Sequence, residues 1–375
     1  MDPIRVLHIL HSMNRGGAEN ALMNYYREFD RSKVQFDFLL TDPNHCLFED
    51  EILDLGGFVY RVPPLSIHHP FGYLKGLSAF FKSHPEYKIV HSHTSSKSVF
   101  PLLVAKIYGI PVRISHSHTS LSERGVKGVI RNLLMPFLKV TANVYMACAE
   151  RAGEWLYGKI FFEQGHVEVV RNVIDAGLFR YDEDKRVKMR KELNVSEDTL
   201  IVGHVARFSI PKNHIFALEV FKDLLKKKTN SLYLLVGDGE LKPEIESRIQ
   251  ELGIFDKVRM VGVVSNVFDY VQAMDVFVLP SLCEGLPLSI IEAQVSGLPC
   301  VTTAGTVSTE CSVTNLVTYV SLSESPTVWA DAYLKASQIP RRDRYEEIKN
   351  AGYDSKTSAL ELQNRYIELY RLVSC

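Results

Sequence analysis

An imbalance of charge is the first thing this sequence of 375 residues lacks. Its 43 Lys and Arg stand against 44 Asp and Glu, a formal net charge of −1, which argues against broad nucleic-acid binding. Cysteine is sparse. The six (Cys46, Cys148, Cys283, Cys300, Cys311 and Cys375) form no CxxC pair, so neither a zinc knuckle nor a disulfide framework is indicated. No apolar run approaches the roughly 18 residues that a membrane span needs. The opening Met1-Asp2-Pro3 has neither the basic start nor the apolar segment of a secretory leader. Together these absences give the expectation of a cytoplasmic, reduced, globular protein. GxGxxG is also missing, which disfavours an NAD-dependent dehydrogenase.

What is present is alternation. Residues 4–10 (IRVLHIL) form a short apolar run of the kind buried in parallel sheets. The turn-forming NRGG and an amphipathic stretch from Ala18 to Arg27 follow. Strand patterns recur at 34–40, 88–93, 112–118 and 143–149, then in a second series at 199–206, 231–237, 257–262, 276–280 and 298–303, mostly with helical patterns between them. Alternating β and α at this spacing predicts an α/β fold of two doubly wound parallel-sheet domains. Residues 1–172 and 173–355 are assigned to them, with a linker near 171–178 and a last helix in 356–375. Ligands of such sheets sit beyond the C-terminal strand ends, so with two domains facing each other a cleft between them is the expected site.

The residues just after strands are therefore the ones that could carry chemistry. In VLPSLCEGLPLSIIEAQ, Glu284 follows a strand and Glu292 lies eight residues later, on a helix that Pro287 is expected to open from the first helical position. The free N–H groups of Leu288 and Ser289 could receive an anion such as a diphosphate, and the two carboxylates could hold sugar or ribose hydroxyls. A polar loop and a solvated helix face would give the same spacing. Arg207 and Lys212 leave the second domain's first strand and offer a planar fork and a mobile point charge to phosphate oxygens. Gly16 and Gly17 end the first strand of the other domain and open a helix. GDGEL at 237–241 is a weaker glycine turn.

Histidine is unevenly spread, with eleven of 13 before residue 167. His91/His93 and His116/His118 are two HxH pairs at the ends of neighbouring strands, and period two puts both members of each pair on one face. Four imidazoles could bind zinc or copper, but no carboxylate or cysteine shares those loops. A substrate-facing histidine at a strand end is the favoured reading, although His91 and His116 could simply be strand histidines bonded internally. Between Lys88 and Lys159 ten Lys/Arg face three acids. Within that span residues 123–140 mix Arg124, Lys127, Arg131 and Lys139 with Val126, Val129, Ile130, Leu133, Leu134, Met135 and Phe137. This fits a helix packed on the sheet, or one lying at an anionic membrane surface.

In their order along the chain, GGAE (16–19), RNVID (171–175), RFSIPKN (207–213), GDGEL and above all EGLPLSIIE (284–292) resemble glycosyltransferase family 4. These are retaining nucleotide-sugar transferases of the GT-B fold, and the resemblance spans essentially the whole chain. The opening 14–40 is similar to enzymes of bacterial exopolysaccharide and capsule assembly. The resemblance implies transfer of a sugar from a nucleoside diphosphate, most often UDP, to a hydroxyl of a glycan or polyprenyl-linked saccharide, without metal or other cofactor. It implies that Arg207 and Lys212 neutralise the donor diphosphate, Glu292 holds the ribose and Glu284 lies near the transferred sugar. Gly285, Leu286, Leu288 and Ser289 then line the donor, Gly16 and Gly17 lie beside the diphosphate, and the nucleobase meets the backbone near Val263. His118 becomes the histidine at the reacting centre, with His116 and His93 as further acceptor-side candidates. The last helix is implied to pack back on the N-terminal domain. RNVID lacks the usual proline and glycine, implying a stiffer hinge. A nucleotide-sugar epimerase of the same fold, or a sugar-nucleotide-binding scaffold without chemistry, are the alternatives. The Glu284/Glu292 motif speaks against the epimerase, and the intact Arg207, Lys212, Glu284 and Glu292 set against loss of activity.

Overall fold

The computed structural model describes residues 2–14, 16–65, 70–118 and 126–374. The chain divides into two compact units, Met1–Ile174 with Ser355–Cys375, and Asp175–Asp354. Among the described residues no helix is long and apolar enough to cross a membrane.

The first unit is built on seven parallel strands: β1 (Ile4–Leu10), β2 (Val34–Leu40), β3 (Val59–Arg61), β4 (Ile89–Ser92), β5 (Val112–Ser117), β6 (Val144–Ala147) and β7 (Glu168–Val169). Their order is β3-β2-β1-β4-β5-β6-β7. Both faces are covered, as a parallel sheet requires. Val6 and Leu10 join Phe36, Phe38, Tyr26 and the last helix's Leu362 and Tyr366 on one face. Leu7 and Ile9 join Leu39, Leu77 and Phe81 on the other. The period of two along β1 thus serves two cores. Asp37, fully buried on β2, is held by the Arg5 guanidinium, by Tyr87 Oη at 2.8 Å and by the Phe58 N–H at 2.8 Å, as a buried charge must be.

The second unit has six parallel strands: β8 (Leu200–Val205), β9 (Ser231–Val236), β10 (Val258–Gly262), β11 (Val276–Leu279), β12 (Cys300–Thr303) and β13 (Val317–Val320), in the order β10-β9-β8-β11-β12-β13. Its core gathers Val202, Phe221, Tyr233, Leu235, Val278 and Trp329.

Ten strands lie where the apolar runs place them. β3, β7 and β13 were not expected from those runs, and all three are sheet edges. An edge strand buries fewer side chains, so Val59–Arg61, Glu168–Val169 and Val317–Val320 are short and partly exposed and lack the continuous hydrophobic signature. The strand order reverses between β1 and β4 in one unit, and between β8 and β11 in the other. Ligands of open α/β sheets bind at such switch points.

Candidate active site

The loop after β8 owes its shape to the glycines of GDGEL. A Cβ on Gly239 would lie 2.4 Å from the Phe208 carbonyl oxygen, and one on Gly237 would lie 2.0 Å from that of Ala206. This close approach lets the Phe208 N–H donate to the Asp238 carbonyl (2.9 Å) and the Leu241 N–H to the Phe208 carbonyl (3.1 Å). Arg207 sits on the loop so fixed. Its guanidinium meets Glu240 at 3.1 Å, with the Arg207 side chain still 73% exposed.

The chain then makes a short turn at Ile210–Lys212 and reaches Asn213, whose left-handed conformation (φ 55°) caps the helix His214–Lys227. Asparagine tolerates that region better than most residues. Two hydrogen bonds tie this loop to the one after β11: Asn213 Nδ2 donates to the Pro280 carbonyl at 3.0 Å, and the Leu282 N–H donates to the Pro211 carbonyl at 2.8 Å. The two loops flank the strand-order reversal, and their joining puts Lys212 Nζ on the Glu284 carboxylate, which also accepts from Ser281 Oγ at 3.1 Å.

Past Glu284 the helix Leu288–Val295 begins. Pro287 is its N-cap (ψ 106°), not the first helical residue. This corrects the sequence reading, because the extended Leu286-Pro287 approach ends one residue later than the proline preference suggests. The Ile290 N–H turns back to the Pro287 carbonyl (3.1 Å), which leaves the first-turn N–H groups of Leu288 and Ser289 for an anion. One turn on, burial pushes the Glu292 carboxyl up to about 7. No side-chain donor reaches it among the described residues. Gly285 leaves open space where a Cβ would be, and Val263, just past β10, is 60% exposed.

In the first unit the Gly17–Glu28 helix starts at the switch point with Gly16 as its N-cap. A Cβ on Gly17 would meet nothing within 4 Å, whereas one on Gly16 would strike the Glu19 carboxylate folded back over it. Across the switch point lie the histidines. Parallel register aligns His8 with His91 and His91 with Ile114, so His8, His91, His93, His116 and His118 share one face. The ring pairs His91–His93 and His116–His118 stack at 4.2 and 4.0 Å. His93 Nδ1 lies 2.7 Å from His118 Nε2, His8 Nδ1 2.9 Å from His93 Nε2, and His118 Nδ1 2.9 Å from Asn172 Oδ1. His91 bridges Tyr366 Oη (2.7 Å) and His116 Nδ1 (3.1 Å). Burial pushes all five imidazoles below the usual histidine range, His118 to about 4 and His8 to about 3.

His91 and His116 are thus the internally bonded strand histidines of the blander alternative. His118, only half-buried, has both ring nitrogens engaged. The ring nitrogens of His8, His91 and His93, and of His93, His116 and His118, lie within 4.8 Å of one another, close enough for a transition ion. Most of those nitrogens are nevertheless spent on one another or on Tyr366 and Asn172, while His8 Nε2 and His116 Nε2 are buried without a partner, and no carboxylate belongs to either group. Sequence reasoning missed Glu240 as the partner of Arg207. It also missed His8, Asn172 and Tyr366 as members of the histidine group. His8 alone left a trace, a polar residue inside the apolar run IRVLHIL. Thr119, Arg124 and the rest of 119–125 lie outside the described residues.

Comparison with known proteins decides the family. Residues 15–178 match the model described as Glycosyltransferase Family 4, and residues 185–355 match Glycosyl transferases group 1. EpsF of Bacillus subtilis (strain 168), which carries a glycosyltransferase assignment, is 36% identical over 368 residues, 96% of either chain. The chain belongs to glycosyltransferase family 4. An Escherichia coli UDP-Gal:alpha-D-GlcNAc-diphosphoundecaprenol alpha-1,3-galactosyltransferase is 27% identical to this glycosyltransferase over 61% of each chain. Anabaena Alr3699/HepE, solved in complex with UDP, superposes with a TM-score of 0.73 at 18% identity, covering 99% of this chain and all of that one. At that identity the likeness establishes the fold, which is GT-B: two doubly wound α/β domains in one chain.

Proposed function

We propose that this glycosyltransferase moves a sugar from a UDP-sugar to a hydroxyl of a lipid-linked saccharide in bacterial surface polysaccharide assembly. The anomeric configuration is retained and no metal is required. The observation that carries the donor side is the joining of the two switch-point loops. It sets Lys212 against Glu284, ahead of a helix whose Leu288 and Ser289 N–H groups have no acceptor among the described residues. Diphosphate departing from a sugar develops negative charge, and Arg207, Lys212 and the N–H groups of Leu288 and Ser289 are preorganised cations and dipoles for it. Glu292 suits the ribose hydroxyls. UDP is favoured because HepE was solved with it, and the lipid-linked acceptor because of the galactosyltransferase relative. In a same-face displacement the leaving phosphate takes the acceptor's proton, so positioning matters more than a strong base.

The donor reading is tested by thermal shift and calorimetry against nucleotide sugars without added metal. Arg207→Ala is the cleanest probe, since an exposed pair such as Arg207–Glu240 contributes only about 0–1 kcal/mol to stability. UDP-sugar binding is expected in the parent and at least tenfold weaker in Arg207→Ala at an unchanged melting temperature. Equal binding by the variant would remove Arg207 from the donor site.

A lipid-linked acceptor calls for a membrane surface, and the Val126–Thr141 helix offers one. Val129, Ile130, Leu133, Phe137 and Val140 are each 48–65% exposed. The helix has no acidic residue and includes Lys127, Arg131 and Lys139. Sedimentation with vesicles containing anionic lipid is expected to carry the protein down, and Leu133→Ser with Phe137→Ser to abolish this. Equal partition onto neutral vesicles would count against the charge argument.

A further inference from the structure

We propose that His8, His93 and Asn172 are positioning residues for His118: one hydrogen-bonded chain, His8→His93→His118→Asn172, presents His118 as the neutral tautomer protonated on Nδ1. This deepens the proposed function, since it rests on His118 standing beside the reacting sugar. The chain has one self-consistent sense. Asn172 Oδ1 can only accept, so His118 Nδ1, 2.9 Å away, carries the hydrogen. The neutral ring then has an acceptor at Nε2, to which His93 Nδ1–H donates across 2.7 Å. His93 Nε2 in turn accepts from His8 Nδ1–H at 2.9 Å. The chain ends at His8 Nε2, which is buried and has no partner, so all three protons point toward Asn172.

Four separate parts of the sequence build this arrangement. His8 lies mid-strand on β1, His93 just past β4 with its N–H on the Ile9 carbonyl (3.0 Å), and His118 just past β5. Asn172, in RNVID, is itself buried, and its backbone is pinned on both sides: Tyr25 Oη donates to the Arg171 carbonyl at 2.8 Å and Asn24 Nδ2 to the Val173 carbonyl at 2.9 Å. An Nε2 lone pair accepts from a sugar hydroxyl and cannot donate to one. The partner set on one nitrogen fixes what the other can do. A hydroxyl that reaches His118 competes with the His93 N–H for that lone pair, so His118 orients a hydroxyl as an acceptor and is not the acid of the reaction.

The test is nitrogen NMR of the full chain labelled with 15N-histidine and assigned through the His118→Gln variant, together with steady-state kinetics. In the parent, His118 is expected to show a protonated Nδ1 and a bare Nε2. His93→Phe removes the donor to Nε2 and is expected to mix the two tautomers and lower kcat about 10- to 100-fold at little change in KM for the donor. His93→Gln, whose amide can accept from His8 and donate to His118, is expected to restore the tautomer and much of kcat. A parent His118 protonated on Nε2 would overturn the proposal. So would a His93→Phe enzyme that keeps both the tautomer and kcat. The nitrogen shifts need no substrate. An enzyme with no UDP-sugar turnover would therefore defeat the functional reading while the shifts still decide the chain. Stoichiometric Co2+ uptake by the parent, lost in His93→Gln, would also overturn it, because nitrogens bound to a metal cannot donate to one another.

Discussion

Glu292 is where stability and function pull in opposite directions. Its carboxyl, pushed up to about 7 by burial, titrates near 4.3 once the chain unfolds. A folded value above the unfolded one means that this group's contribution is fully present below about pH 4 and is lost as the pH rises through 7. The ligand-free enzyme should therefore be less stable at pH 8 than at pH 5 on this account. Glu292→Gln, which cannot ionise, is expected to be more stable than the parent at pH 8 by roughly 3–4 kcal/mol, the two equalising near pH 4. Denaturant titration at the two pH values measures it. Binding runs the other way: UDP-glucose, whose diphosphate has no proton to lose in this range, should bind the parent more tightly as the pH climbs through 7. Glu292→Gln should bind it weakly at every pH. A variant that gains no stability at pH 8 would mean that the carboxylate is better solvated than its place in the Leu288–Val295 helix indicates.

At the scale of elements, two glycine positions separate packing from ligand approach. A methyl group on Gly239 would collide with the Phe208 backbone, at 2.4 Å from its oxygen and 2.8 Å from its nitrogen. Gly239→Ala is expected to cost roughly 1–3 kcal/mol and to weaken UDP-sugar binding by displacing Arg207. Gly17→Ala meets nothing within 4 Å and should leave stability unchanged or slightly raised. If the diphosphate approaches the helix start at Gly17, binding nevertheless falls. Calorimetry of the two variants with and without UDP-sugar distinguishes the cases. The same two positions show what was legible in the sequence. Ten strands, the glycine that opens the first helix and the helix bearing Glu292 follow from local pattern, because apolar periodicity and capping are local constraints. Glu240 against Arg207, and Asn172, His8 and Tyr366 in the histidine group, are pairings across 33 to 275 residues. Only the order of strands in the sheet brings such partners together, and periodicity carries no record of it. Pro287 failed for a different reason: a proline preference ranks positions near a helix start without fixing which one is occupied.

The whole molecule is not two successive halves, because the first unit is closed by the end of the chain. Ala359, Leu362, Tyr366 and Leu369 belong to the core on one face of its sheet, Gln363 accepts from the Asp30 N–H at 2.7 Å, and Tyr366 Oη meets His91 at 2.7 Å. Across the sheet, the Arg365 guanidinium meets Glu168 on the edge strand β7. The second unit, Asp175–Asp354, has its own core around Phe221, Tyr233 and Trp329 and holds every donor-side candidate except Gly16 and Gly17. A chain ending at Asp354 should therefore lose the first unit and keep the second. Removing Leu362, Tyr366 and Leu369 from that core, each worth about 1.5–3 kcal/mol as a large buried side chain, takes away a large share of the 5–15 kcal/mol that holds a domain together. The expected calorimetric trace has two transitions for the full chain and one for the shortened chain. UDP should still raise the surviving transition by mass action, while transfer activity is absent. If the shortened chain instead kept both transitions, the last helix would be an accessory to the first unit and the buried Tyr366–His91 contact dispensable to its core.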